Sequence, residues 1–164
     1  MISAEEAKNI VLNQQLTQKI EQINIEDCLG RILAENILAD RAMPPFDRVT
    51  MDGIAINFKD IENGIDVWKV VKTQFAGEIA CSISAPGECI EVMTGSVLPI
   101  GCDTVVRYED LDEIISKSME RHFKLNVNQI KPGQNIHIKG SDKKEGDVVL
   151  HASQIIAPTD LAML

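Results

Sequence analysis

The sequence predicts an α+β, β-rich chain in two lobes, the second a small β-rich module inserted into the first. Three observations predict it. A helix signal stands at the N-terminus. From residue 54 onward, short apolar runs alternate with glycine and proline turns. A Pro-Pro step at 44–45 and a charged glycine turn at 140–146 bracket the strand-rich middle. Residues 1–43 and 145–164 are therefore expected to form one discontinuous lobe of mixed helix and strand, with residues 44–144 as the inserted lobe.

Ser3 with Glu6 is a capping box: the serine hydroxyl accepts from the Glu6 amide, and the glutamate reaches back. Ala7, Ile10 and Val11 follow at helical spacing, which predicts a helix over 4–14. Ile23 and Ile25 alternate as an extended piece. Leu29, Ile32 and Leu33 suggest one or two helical turns, and Ile37-Leu38 lead into an extended segment. Met43-Pro44-Pro45-Phe46 cannot continue a helix, because proline lacks a donor and restricts its predecessor. Strands are expected at 54–56, 67–71, 79–83, 89–93 and 104–106, each after a turn signal such as Asp52-Gly53, Gly77 or Pro86-Gly87. Ile136 and Ile138 alternate, and Val148 to Leu150 is another strand. Pro158 to Leu164 reads as the start of a helix with proline in its first turn. The chain ends while that helix is still running, so a downstream domain is expected to continue it.

Composition narrows the function classes. The hydrophobic fraction is 45%, enough for a real core. No apolar run approaches the roughly 20 residues of a membrane span. The N-terminus is acidic and lacks a secretory or transit pattern, so a cytoplasmic, membrane-free protein is expected. The formal net charge is -9, which repels phosphate backbones and argues against a nucleic-acid partner. Cys28, Cys81, Cys89 and Cys102 form no C-x-x-C pair and read as reduced, packed thiols. His122, His137 and His151 are too scattered for a transition-metal motif.

Three polar turns stand out: 43–53, 91–110 and 132–146. In the first, Asp52 precedes Gly53; an aspartate there is first of all a turn former. In the second, Thr94-Gly95-Ser96 follows a strand and can aim donors at an anion, or simply end the strand. In the third, His137, Lys139, Lys143 and Lys144 flank Asp142; the lysines could hold a phosphate or be a solvated loop. No single turn names a function.

Together, in order and spacing, they resemble the MoeA family of molybdopterin molybdenumtransferases, which includes the E domain of gephyrin. LGRILAENI at 29–37, PPFDRVTMDGIAI at 44–56, APGECIEVMTGSVLPIGCDTVVRYED at 85–110 and GQNIHIKGSDKKEGDVV at 133–149 carry the resemblance. Arg48, Val49, Ile54 and Ser141 depart from the usual pattern. The resemblance implies the N-terminal region of a MoeA-like fold. It implies an enzyme that inserts molybdate into adenylylated molybdopterin and releases AMP, with Mg2+ assisting. The chain alone would then be inactive. By position, Asp52, Thr94 and Asp142 match residues important for activity. Asp52 and Asp142 are the candidate metal ligands. Ser96, Lys139 and Lys143 are the candidate substrate-binding residues. A homodimer and an upstream molybdopterin adenylyltransferase are the implied partners. The alternatives are a gephyrin-type scaffold and a non-catalytic β-rich binding module.

Overall fold

The computed structural model describes residues 2–14, 19–116, 119–127 and 129–164. In chain order the elements are α1 (Ala4–Leu12), β1 (Ile37–Leu38), β2 (Arg48–Val49), β3 (Gly53–Ile56), α2 (Phe58–Glu62), β4 (Val67–Gln74), β5 (Glu88–Val92), β6 (Thr104–Arg107), β7 (Leu111–Ile115), β8 (Arg121–Leu125), β9 (Ile136–His137) and β10 (Val148–Leu150). The chain divides into two compact units, one of residues 1–37 with 148–164, the other of residues 38–147.

The unit of residues 38–147 is built on a six-stranded sheet in the order β6-β3-β5-β4-β8-β7. Its pairs are antiparallel except β4 with β5. β3, β5 and β6 are buried on both faces, which is why they read as largely continuous apolar runs rather than as alternation. Ile54, Ile56, Trp68, Cys89, Val106 and Phe123 fill one core. Val49, Ala55, Ile90, Val92, Cys102 and Val105 fill the other. Trp68 is fully buried and donates its indole N–H to Asp60 at 3.1 Å. Gly53 is demanded by close approach: a Cβ there would lie 2.0 Å from the Val106 carbonyl oxygen. Where the chain enters and leaves this unit, the Ala39 amide donates to Asp147 at 2.8 Å and the Gly146 amide to Ala39 at 2.9 Å.

The other unit opens with α1. The expected capping box is present, with the Glu6 amide donating to Ser3 Oγ at 3.2 Å and the Ser3 amide to Glu6 Oε2 at 2.7 Å. The hydrogen bonds from Leu33 N to Gln154 O, 2.9 Å, and from Ile156 N to Arg31 O, 2.8 Å, tie residues 31–33 to residues 154–156. Among the described residues no helix is long and apolar enough to cross a membrane.

Several sequence expectations need correction. Residues 29–33 are not helical: the 3-10 turn lies at Ile25–Asp27, and Gly30 at φ 76 turns the chain out of it. Residues 79–83 form no strand beyond an isolated bridge between Ser82 and Ile100. The fully buried Gln74 side chain takes over there, donating to Val97 O and accepting from Cys81 N, both at 2.6 Å. The C-terminal segment makes only a 3-10 turn at Asp160–Ala162. The short helix α2 and the β7–β8 hairpin were not expected from the sequence.

Candidate active site

The sheet gathers its site-bearing turns at one end. β4 and β5 run parallel, so the loops after both leave at the same end. β3 is antiparallel to β5 and β6, which puts the residue before β3 and the residue after β6 there too. Asp52, Thr94 and Tyr108 meet by this topology. Asp52 Oδ1 accepts the Thr94 amide and the Thr94 hydroxyl, each at 2.7 Å. The Tyr108 amide donates to Asp52 O at 3.2 Å. The hydroxyl bond of Thr94, then its amide bond, hold the Asp52 carboxyl below the usual aspartate range. Asp52 Oδ1 is thus occupied and fixed. Asp52 itself is exposed.

The first turn lies between the other two. Val49 N donates to Ser96 O and Gly95 N to Val49 O, each at 2.9 Å. On the other side β2 pairs with β9, with Arg48 opposite His137 and Val49 opposite Ile136. Asp47 bridges both neighbours: its carbonyl accepts from Leu98 N and its Oδ1 from Lys139 N, each at 2.8 Å. Met43 O accepts the Asp142 amide at 2.9 Å. Asp142 Oδ1 in turn accepts from His137 Nε2 at 2.8 Å.

The structure therefore brings Asp52 and Thr94 into contact and places Asp142 on the adjoining turn. Lys139 is anchored through its backbone and its side chain is exposed. Lys143 exchanges main-chain hydrogen bonds with Met43. Ser96 is fully buried, and among the described residues its hydroxyl meets no hydrogen-bond partner, so it faces inward rather than toward a ligand.

Behind the Asp52–Thr94 pair lies a cluster that the sequence did not reveal. Glu91 is 6% exposed in β5. Arg121 grips it with two bonds at 2.8 and 2.9 Å, Thr73 Oγ1 donates at 2.6 Å and Tyr108 OH at 2.7 Å. Burial by itself would raise the Glu91 carboxyl. The bonds from Arg121, Thr73 and Tyr108 outweigh it and hold the group down at about 2. Tyr108, half-buried and donating to that carboxylate, is pushed up. The available signal was an acid within the apolar run 89–93.

Comparison with known proteins decides the family. The model of the MoeA N-terminal region, domain I and II, matches residues 2–164. The chain belongs to the MoeA family. It is 38% identical over 131 residues to the molybdopterin molybdenumtransferase of Synechocystis, covering 80% of the chain and 33% of that protein. The enzyme of that name from Staphylococcus aureus strain Mu50 is 33% identical over 169 residues, covering 99% and 38%. The solved molybdopterin biosynthesis moeA protein of Pyrococcus horikoshii OT3 superposes with a TM-score of 0.75 at 33% identity, over 88% of this chain and 38% of that one. A second structure of a Pyrococcus moeA protein gives 0.79 at 29% identity, over 99% and 41%. This MoeA N-terminal region thus spans roughly a third to two fifths of its relatives' length.

The same surface tests the implied metal. Among the described residues no group of three or more His, Cys, Asp or Glu side chains could hold an ion. That donor set does not make an all-protein cage. Mg2+ keeps most of its waters and binds through one or two carboxylates plus phosphate oxygens, a demand that an exposed carboxylate such as Asp52 or Asp142 could meet.

Proposed function

We propose that this region supplies one wall of the site at which molybdate is inserted into adenylylated molybdopterin, with release of AMP, in a longer homodimeric cytoplasmic enzyme. The carrying observation is the clamp in which Thr94 holds Asp52 by two bonds of 2.7 Å on the turn joined to Asp142. A fixed, ionised carboxylate facing solvent is a hard oxygen ligand, and its substrates are anions that need a bridging cation. Asp52 and Asp142 are assigned to Mg2+, which would supply charge neutralisation between phosphate oxygens. Thr94 orients Asp52, and Lys139 and Lys143 add positive charge beside the anions. Ser96 shapes the turn from inside. The adenylylated substrate would come from an upstream molybdopterin adenylyltransferase.

The test is Asp52→Asn and Asp142→Asn in the full-length protein. Asparagine keeps the acceptor oxygen and so the turn, while losing the charge. Melts should move by no more than about 0.5 kcal/mol. Insertion rates should fall roughly tenfold or more, each 1.4 kcal/mol of transition-state stabilisation being tenfold. A sharp loss of stability with an unchanged rate per folded molecule would make both residues turn formers only. Residues 1–164 alone should show no turnover, because two walls must hold two anions in reacting geometry. Measurable insertion by this piece would end that view.

A further inference from the structure

The sequence carries Arg31, Arg41, Arg48, Arg107 and Arg121. Arg31 pairs with Glu21, Arg41 with Asp40, Arg107 with Asp110, and Arg121 with Glu91 and Glu113. Arg48 differs. Among the described residues it makes no salt bridge, although the chain carries a net charge of -9. Its Nη2 instead points at His137 Nδ1, 3.1 Å away across the β2–β9 pair. A guanidinium has only donors, so Nδ1 must accept. The imidazole proton therefore sits on Nε2, which donates to Asp142 Oδ1 at 2.8 Å. The row Arg48–His137–Asp142 fixes one corner of the guanidinium and leaves its remaining N–H groups on an exposed side chain.

We infer that Arg48 is an oxyanion-binding residue of this site, oriented by His137 and balanced through it by Asp142. The inference rests on the functional reading above and adds a residue to which that reading gave no role. A planar fork of donors matches a tetrahedral oxyanion better than a lysine ammonium does. Two oxyanions fit this chemistry: molybdate and the phosphate of an adenosine nucleotide. The register pair also makes a geometric claim. Moving the guanidinium across it, from 48 to 137, should keep it within reach of the same anion.

The experiment measures binding of molybdate and of AMP, separately and at fixed ionic strength, to the full-length protein by calorimetry. Melts are recorded on the same samples. Arg48→Asn should weaken one or both anions by about tenfold. Loss confined to molybdate assigns the residue to molybdate, and loss confined to AMP assigns it to the nucleotide phosphate. Arg48→Lys should recover only part, because the charge returns without the fork. Arg48→Asn combined with His137→Arg should come back to within about threefold of the parent. If the parent binds and folded Arg48→Asn binds both anions equally well, the inference fails and the functional reading stands. If the parent binds neither anion, both fail.

Discussion

The two units of this chain bury their apolar residues very differently. Residues 38–147 hold two packed cores, with Val49, Ile54, Ile56, Trp68, Ile90, Val92, Val105 and Val106 all at 0% exposure. Among the described residues of 1–37 with 148–164, only Cys28, Leu150 and Ile156 are buried apolar side chains. There α1 buries no residue, and Ile20 stands 80% exposed and Ile155 66%. The unit that carries the candidate site therefore stabilises itself through its own interior. The other draws little from its own apolar side chains.

The strongest way to break that comparison is a truncation in each unit. Trp68→Ala should destabilise the chain by about 3–5 kcal/mol in urea melts, by cavity formation and by stripping Asp60 of a donor. Ile155→Ala should stay within about 0.5 kcal/mol. Similar costs for the two would erase the distinction. A middle-sized effect concerns the charged cluster between the core and the site. Glu91 is held at about 2, below an ordinary glutamate's 4.5. A lowered carboxylate contributes in full above pH 4.5, and that contribution is lost as pH falls from there toward 2. Melts between pH 6 and pH 2 should show the loss, and Glu91→Gln should cost about 1–3 kcal/mol at pH 7 while flattening the acid slope. An unaltered slope would remove Glu91 from the acid response. The smallest effect sharpens the picture of the site turn. Ser96→Ala removes a buried hydroxyl with no partner among the described residues, so it should be neutral or stabilise by up to about 1 kcal/mol. A clear loss in a thermal scan would mean that the hydroxyl has a partner after all.

Legibility in the sequence follows the same division of forces. β3, β5 and β6 were readable because both faces are buried and each follows a glycine or proline turn. β4 was readable around Trp68. The β7–β8 hairpin was not, because it is held by charge as much as by apolar contact, with Glu113 opposite Phe123 in register and bonded to Arg121 at 2.6 Å. The helix α2 escaped because Asn57 caps a segment too short to show a period, its Oδ1 accepting the Lys59 amide and its Nδ2 donating to Gly101 O, each at 3.0 Å. Ile79 misled by type alone, being 92% exposed in a loop. At the site, Asp52, Thr94 and Asp142 were named from motif resemblance. Their contacts were not visible, because Thr94 is 42 residues from Asp52 and Arg48 is 89 from His137. Glu91 was hidden by its apolar neighbours in β5.

The hydrogen bonds joining Ala39 to Asp147 and Gly146 to Ala39 have a consequence for the flanking polypeptide. Joining distant points of a chain costs entropy that rises only with the logarithm of the loop's length. Here the long excursion is sealed at its base, so the host segments experience it as little more than a tight turn. Lengthening or exchanging the far end of such a graft leaves the distance between its two ends unchanged. Change at the far side of residues 38–147 therefore leaves the spacing between Ala39 and Asp147 as it is.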